Sequence, residues 1–262
     1  MTELTVLVSH DDRGVVTVML NRPALHNAFD EALIQKLIET FESVARDDAC
    51  RVMVLGGVGK SFSAGGDLNW MRRMAGYGYA ENLADAGELA RLMRTLDRLP
   101  KPTVARVHGS VFAGGLGLVA CCDIAVAEQE TIFCVSEARL GLVPSVISPY
   151  LIRAIGARSV RRYFLTAERF PAAEAHRIGL VHEVVPAAEL DQKVEAIVAA
   201  LLEGGPSSQS RSKRLISDVT DRPIEQPVIE ITARTIAEAR ASDEAREGLA
   251  AFFEKRRPRW RE

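Results

Sequence analysis

The stretch Val111-Phe112-Ala113-Gly114-Gly115-Leu116-Gly117 joins a β-branched segment, Thr103–His108, to an apolar run that ends at Cys122. A strand, a glycine-rich loop and a buried helix in that order form the unit of an α/β fold. A second stretch of the same design lies upstream. Phe62-Ser63-Ala64-Gly65-Gly66-Asp67 follows a strand over Arg51–Leu55 and leads into a helix over Leu68–Met74.

Outward from these two loops the alternation continues. Val6–His10 and Val15–Asn21 read as strands joined by a turn at Asp11-Asp12-Arg13-Gly14. Glu31–Arg46 is an amphipathic helix with Asp30 as its N-cap. The glycine- and serine-rich Gly56–Gly66 reads as loop, Asn82–Leu99 as helix, and Ile124–Ala127 and Ile132–Val135 as short strands. After about Pro206 the pattern is helical only: Ser207–Ser217, Pro223–Arg240 and Asp243–Lys255. The expectation is an α/β core domain over residues 1–205 that carries the active site, and a helical C-terminal region over residues 206–262.

Composition narrows the function classes. The net charge is −2, so no basic field draws nucleic acid or an anionic membrane. No apolar stretch reaches the ~18 residues of a membrane span. The chain starts without a basic and then apolar leader, and Cys50, Cys121, Cys122 and Cys134 show neither disulfide nor metal-ligand spacing. A reducing, cytoplasmic setting with buried free thiols is expected. His10, His26, His108, His176 and His182 form no ligand set, so no metal is expected.

The chemistry sits in the loops and just beyond them. Amides at a helix N-terminus have no intrahelical partner and carry partial positive charge. Glycine lets a ligand approach them closely. Two such loops brought together offer two N–H groups to one developing oxyanion, each donor contributing about 2.7–4 kcal/mol of barrier reduction. Taken singly, either loop reads more readily as a turn or as tight packing between a helix and a strand. Glu137 follows, between a buried strand and the apolar Leu140-Gly141-Leu142-Val143-Pro144. A carboxylate in such surroundings has a raised pKa suited to proton transfer, while a salt bridge to Arg139 or another arginine is the competing structural reading. Two similarities fail. Gly59-Lys60-Ser61 lacks the upstream glycine of a P-loop, and Gly115-Leu116-Gly117-Leu118-Val119-Ala120 is separated from its strand by Gly109–Phe112, unlike a dinucleotide-binding turn.

Together the two loops, Asp123-Ile124 and Glu137 resemble the crotonase, or enoyl-CoA hydratase/isomerase, superfamily. The resemblance extends from Leu20-Asn21-Arg22-Pro23 and Asn27-Ala28 to Phe252-Phe253-Glu254-Lys255-Arg256. It implies a spiral of β-β-α units with a helical C-terminal region that packs subunits into trimers or hexamers. It implies an acyl-CoA thioester substrate, with coenzyme A entering as part of that substrate and no separate cofactor. By motif match the oxyanion amides fall on Gly66 and Gly114, and the acid–base on Glu137. Ala24 and His26, then Ala64, Asp67 and Leu68, match positions along the CoA site. Phe252 and Lys255 match tail positions that reach the adenine and phosphate end of CoA, commonly from a neighbouring subunit. There is one departure. Hydratases of the family carry two catalytic glutamates twenty positions apart, and the first falls on Gly117. The aspartate nucleophile of a dehalogenating branch falls on Ser145, which argues against that chemistry.

Pure chemistry with a single base favours moving a double bond from the 3,4 to the 2,3 position. The finer resemblance, over Phe62–Ala75, Gly117–Asp123 and Arg139–Gly156, is to bacterial hydratases of methylglutaconyl-CoA and isohexenylglutaconyl-CoA, enzymes of leucine and acyclic terpene breakdown. Their substrates bear an extra carboxylate, which is expected to fill the space left at Gly117, directly or through a water. Glu81 and Asp85 are alternative second carboxylates, or simply a solvated helix face. A binding protein for acyl-CoA without catalysis is the reading from another class, with Gly117 as its support.

Overall fold

The computed structural model describes residues 4–261. The chain opens with an antiparallel pair, β1 (Val6–His10) and β2 (Val15–Leu20). A short 3-10 turn at Pro23–Leu25 leads to α1 (Glu31–Arg46), capped by the Asp30 carboxylate, which accepts from the Leu33 amide at 2.8 Å. Leu33, Ile34, Leu37, Ile38 and Phe41 recur at helical spacing and are all buried, so this helix is held by its apolar face.

A two-strand-then-helix unit then repeats. β3 (Val52–Gly57) and β4 (Ser61–Ser63) precede α2 (Leu68–Met74) and α3 (Tyr79–Asp97). β5 (Thr103–Val107) and β6 (Ser110–Phe112) precede α4 (Gly114–Cys121). β7 (Ile124–Glu128) and β8 (Ile132–Cys134) precede a 3-10 turn at Glu137–Leu140 and α5 (Ser148–Thr166), which breaks at Gly156. β9 (Arg169–Pro171), α6 (Ala172–Arg177) and β10 (Glu183–Val185) follow.

In each unit the first strand joins one sheet and the second joins another. The first sheet runs β1-β2-β3-β5-β7-β10, the second β4-β6-β8-β9. Parallel registers within both sheets stack the units in chain order, for example Met53↔Thr103 beside Val104↔Ile124, and Ser110↔Ile132. The result is the expected spiral. It also corrects the sequence reading in two places. Gly56–Gly66 is not all loop, because β3 runs on to Gly57 and Ser61–Ser63 is a strand. Gly109–Phe112, which separates the glycines from β5, contains the strand β6.

Asp123 links successive units. Its Oδ2 accepts from the Thr103 amide at 2.7 Å and the Thr103 hydroxyl at 2.9 Å, and its own amide donates to the Thr103 hydroxyl at 2.8 Å. The same carboxylate pairs with Lys213 at 2.7 Å. Lys213 lies on α8 (Pro206–Val219), which follows α7 (Leu190–Leu202). α9 (Gln226–Ala241) and α10 (Asp243–Glu254) complete the helical C-terminal region. Arg51 clamps this region onto the core by donating to the carbonyls of Trp260, Leu202 and Gly204. No helix among the described residues is long and apolar enough to cross a membrane.

Candidate active site

The two glycine loops meet. Phe29 is the element between them. Its amide donates to the Gly65 carbonyl and its carbonyl accepts from Asp67, both at 2.7 Å, so it pairs with the first loop like a strand. Its fully buried ring lies against Gly114, where a Cβ would stand 2.6 Å from Phe29 Cε2. A Cβ on Gly65 would stand 2.9 Å from the Ala113 methyl, and one on Gly115 2.9 Å from the Ser63 carbonyl. Side chains at these glycines would force the loops apart. Neither the Gly66 nor the Gly114 amide donates to a backbone acceptor among the described residues. Both are free to serve a ligand oxygen.

Asn27 braces the first loop from behind. Its backbone is left-handed at φ 55° and its side chain is fully buried. The side-chain amide donates to the Val58 carbonyl at 3.0 Å and the Ser61 carbonyl at 2.7 Å, while its oxygen accepts from the Arg22 amide at 2.8 Å. Arg22 in turn pairs with Asp30 at 2.9 Å and Asp67 at 3.1 Å. Burial pushes the Asp67 carboxyl up, but the amides of Asn69 and Trp70 and the Arg22 guanidinium outweigh it and hold it below the usual carboxylate range. Its charge is engaged in capping α2. His26 and Ala64 face each other across this turn: the Ala64 amide donates to the His26 carbonyl at 2.9 Å, and His26 Nδ1 lies 3.0 Å from the Ser61 hydroxyl. Ala24 and Leu68 are exposed on the flanks.

Glu137 enters from the second sheet. β8 pairs with β6 at Phe112↔Cys134, and the Ala113 amide donates to the Cys134 carbonyl at 2.9 Å, so Glu137 lies just past the strand that braces the second loop. Among the described residues Glu137 forms no ion pair with Arg139 or any other arginine, which removes the structural reading. Its Oε2 is sealed from solvent and has no hydrogen-bond partner among the described residues. Burial raises its pKa, against the lowering effect of the Glu137 and Ser136 amides. A desolvated carboxylate of this kind is primed to take a proton.

The position of the missing second carboxylate is filled by protein. A Cβ on Gly117 would stand 2.4 Å from Ile147 Cγ2 and 2.9 Å from Met93 Sδ, and both side chains are buried. The expected vacancy for a substrate carboxylate directly beside Gly117 is therefore absent. The alternative carboxylates have structural duties. Glu81 caps α3 by accepting from the Gly78 amide at 2.8 Å, and Asp85 accepts from the Trp70 indole at 3.0 Å.

Phe252 and Lys255 are not brought to these loops. Both lie exposed at the end of α10, which packs on α9. Arg256 beside them is engaged by Glu247 at 2.6 Å and Glu254 at 2.7 Å. All four cysteines are buried and unpaired, and among the described residues no cluster of three or more His, Cys, Asp or Glu forms a metal site.

The fold and the paired loops define the class, and the comparisons agree. Residues 10–262 match the family model described as enoyl-CoA hydratase/isomerase, and the chain belongs to that family. It is 45% identical to an enoyl-CoA hydratase of Shewanella pealeana of known structure, with a TM-score of 0.95 over 98% of this chain and 96% of the other. It is 36% identical to an enoyl-CoA hydratase of Mycobacterium smegmatis, TM-score 0.93, over 99% and 100% of the two chains. A trans-2-decenoyl-[acyl-carrier-protein] isomerase of Streptococcus mutans is 28% identical over 95% of each chain.

Proposed function

We propose that this protein hydrates a 2-enoyl-CoA thioester whose acyl group is branched or carboxylated, such as 3-methylglutaconyl-CoA. The observation that carries the proposal is the buried, unpartnered Glu137 carboxylate, three residues past the Cys134 carbonyl that holds the second loop, in a fold that brings that loop against the first and leaves the Gly66 and Gly114 amides without a backbone acceptor. The two amides receive the thioester oxygen as it gains charge, which stabilises the enolate formed when water adds at Cβ. Glu137 takes a proton from the attacking water. Because Ile147 and Met93 close the space beside Gly117, the same residue returns that proton to Cα, so H and OH add to one face.

Ala24, His26, Ala64, Asp67 and Leu68 line the path of CoA. Phe252 and Lys255 belong to the CoA site of a neighbouring copy. A homo-oligomer, trimer or hexamer, accords with the apolar side chains exposed on the last three helices, among them Ile216 at 64%, Phe252 at 76% and Phe253 at 75%. A cytoplasmic location is part of the same reading, and the buried free thiols support it.

A second reading, transfer of a 3,4 double bond to the 2,3 position, has a specific support. With the Gly117 position walled, one base serves both proton transfers, as that isomerisation requires. Ultraviolet absorbance of the conjugated thioester separates the two. Hydration of 3-methylglutaconyl-CoA lowers it; isomerisation of a 3-enoyl-CoA raises it. No fall with the first substrate and a rise with the second refutes hydration.

A further inference from the structure

We infer that Ala113 is a positioning residue for the pair of oxyanion donors, its methyl group acting as the spacer between the two glycine loops. The inference rests on the reading above that Gly66 and Gly114 receive the thioester oxygen.

Ala113 has φ 48° and ψ −120°. Those values match the first central position of a type II′ turn, which glycine dominates because a Cβ there is strained. An alanine held so is a local cost that the surrounding structure has to impose. Both ends of the residue are tied down. Its amide donates to the Cys134 carbonyl at 2.9 Å, and its carbonyl accepts from the Leu116 amide at 3.0 Å. The residue before it is fixed by the β6–β8 register, with the Arg169 guanidinium 5.5 Å from the centre of the Phe112 ring. β8, the strand that leads to Glu137, thus also forces the turn.

What the strained geometry achieves is a contact. The Ala113 methyl faces Gly65, where a Cβ would approach it to 2.9 Å. Gly65 itself is left-handed at φ 88°. Each member of this contact immediately precedes a donor: Gly65 precedes Gly66, and Ala113 precedes Gly114. A glycine at 113 would relieve the strain and remove the spacer together. Tight packing and donor spacing would then part company, because the fold gains while the two amides lose their fixed separation. Misplacement of a donor by about 1 Å is enough to cost on the order of 10²-fold in rate.

The test uses full-length Ala113→Gly and Ala113→Ser, measuring kcat and KM for an enoyl-CoA that the unaltered protein turns over, the melting temperature, and the infrared carbonyl band of bound [1-13C]butyryl-CoA. Ala113→Gly is expected to melt about 2–4 °C higher. Its kcat should fall at least about tenfold with KM roughly unchanged, and the carbonyl band should move less from its solution frequency than with the unaltered protein. Ala113→Ser keeps the Cβ and should match the unaltered protein in kcat and carbonyl shift. Unchanged kcat and carbonyl shift in Ala113→Gly would overturn the inference, and so would a lower melting temperature. If the unaltered protein itself leaves the carbonyl band unmoved, the oxyanion reading fails, and this inference with it.

Discussion

Gly117 offers the sharpest test of the site's packing. Replacing it with alanine puts a methyl group 2.4 Å from Ile147 Cγ2 and 2.9 Å from Met93 Sδ. Methionine is flexible enough to swing its sulfur aside. Ile147 Cγ2 is not, because it is fixed to a Cβ in a residue only 2% exposed at the foot of α5. The methyl therefore has to separate α4 from α5. Overpacking of this kind costs about 1–3 kcal/mol, while replacing a helical glycine with alanine returns about 0.5–1 kcal/mol. The net expectation is a loss of about 1 kcal/mol, or about 2–4 °C in melting temperature. Ile147→Ala alone should cost about 2–5 kcal/mol through its cavity. Combined, the two changes should be less harmful than their sum by about 0.5–3 kcal/mol, since the new methyl moves into the space the isoleucine leaves. Urea denaturation of the four proteins at one fixed concentration measures this. A Gly117→Ala variant as stable as the unaltered protein, or strict additivity, would show that Ile147 does not wall this position. The catalytic argument that a carboxylate has no room there would then fall.

Three further outcomes follow from the geometry of the site. Burial raises the Glu137 pKa in the folded chain, so the folded state binds a proton there that the unfolded state has already released. Stability from this group is therefore lost as pH rises from the ordinary glutamate range to the raised value, and Glu137→Gln should be more stable than the unaltered protein above that window and not below it. Activity runs the other way: its acid limb should lie above the ordinary glutamate range, and a pH–rate profile with no acid limb before unfolding would count against Glu137 as the base. Asn27→Ala leaves the Arg22 amide and the Val58 and Ser61 carbonyls without their partner. It should cost about 3 kcal/mol and lower kcat by loosening the first donor loop; a variant with unchanged melting temperature and kcat would show that Asn27 is not a brace.

Long amphipathic and β-branched segments were legible in the sequence. The helix over Glu31–Arg46 matches α1 residue for residue, because its apolar positions and its Asp30 cap agree. Three-residue strands such as β4 and β6 were not, since they are too short for alternation to register and are held by pairing with distant strands. α3 begins at Tyr79 rather than Asn82 because the Glu81 carboxylate reaches back to accept from the Gly78 amide ahead of the apolar residues. The glycine loops and Glu137 stood out in the sequence because their residue types are those the proposed chemistry uses, and the structure brings the two loops together. Phe29, Met93 and Ile147 could not be assigned to the site from sequence. Each reads as an ordinary core residue, and only the tertiary packing puts its side chain against Gly114 or Gly117. The strain at Ala113 is equally silent, because nothing in an alanine announces a positive φ.

Glu137→Gln tests the central claim most directly. The change keeps the shape of the side chain and removes its ability to take a proton. Turnover of 3-methylglutaconyl-CoA by the unaltered protein and the variant should be measured beside the dissociation constant of a saturated acyl-CoA for each. The account predicts a loss of at least about 10²-fold in kcat with binding retained. Turnover that survives the substitution would contradict it.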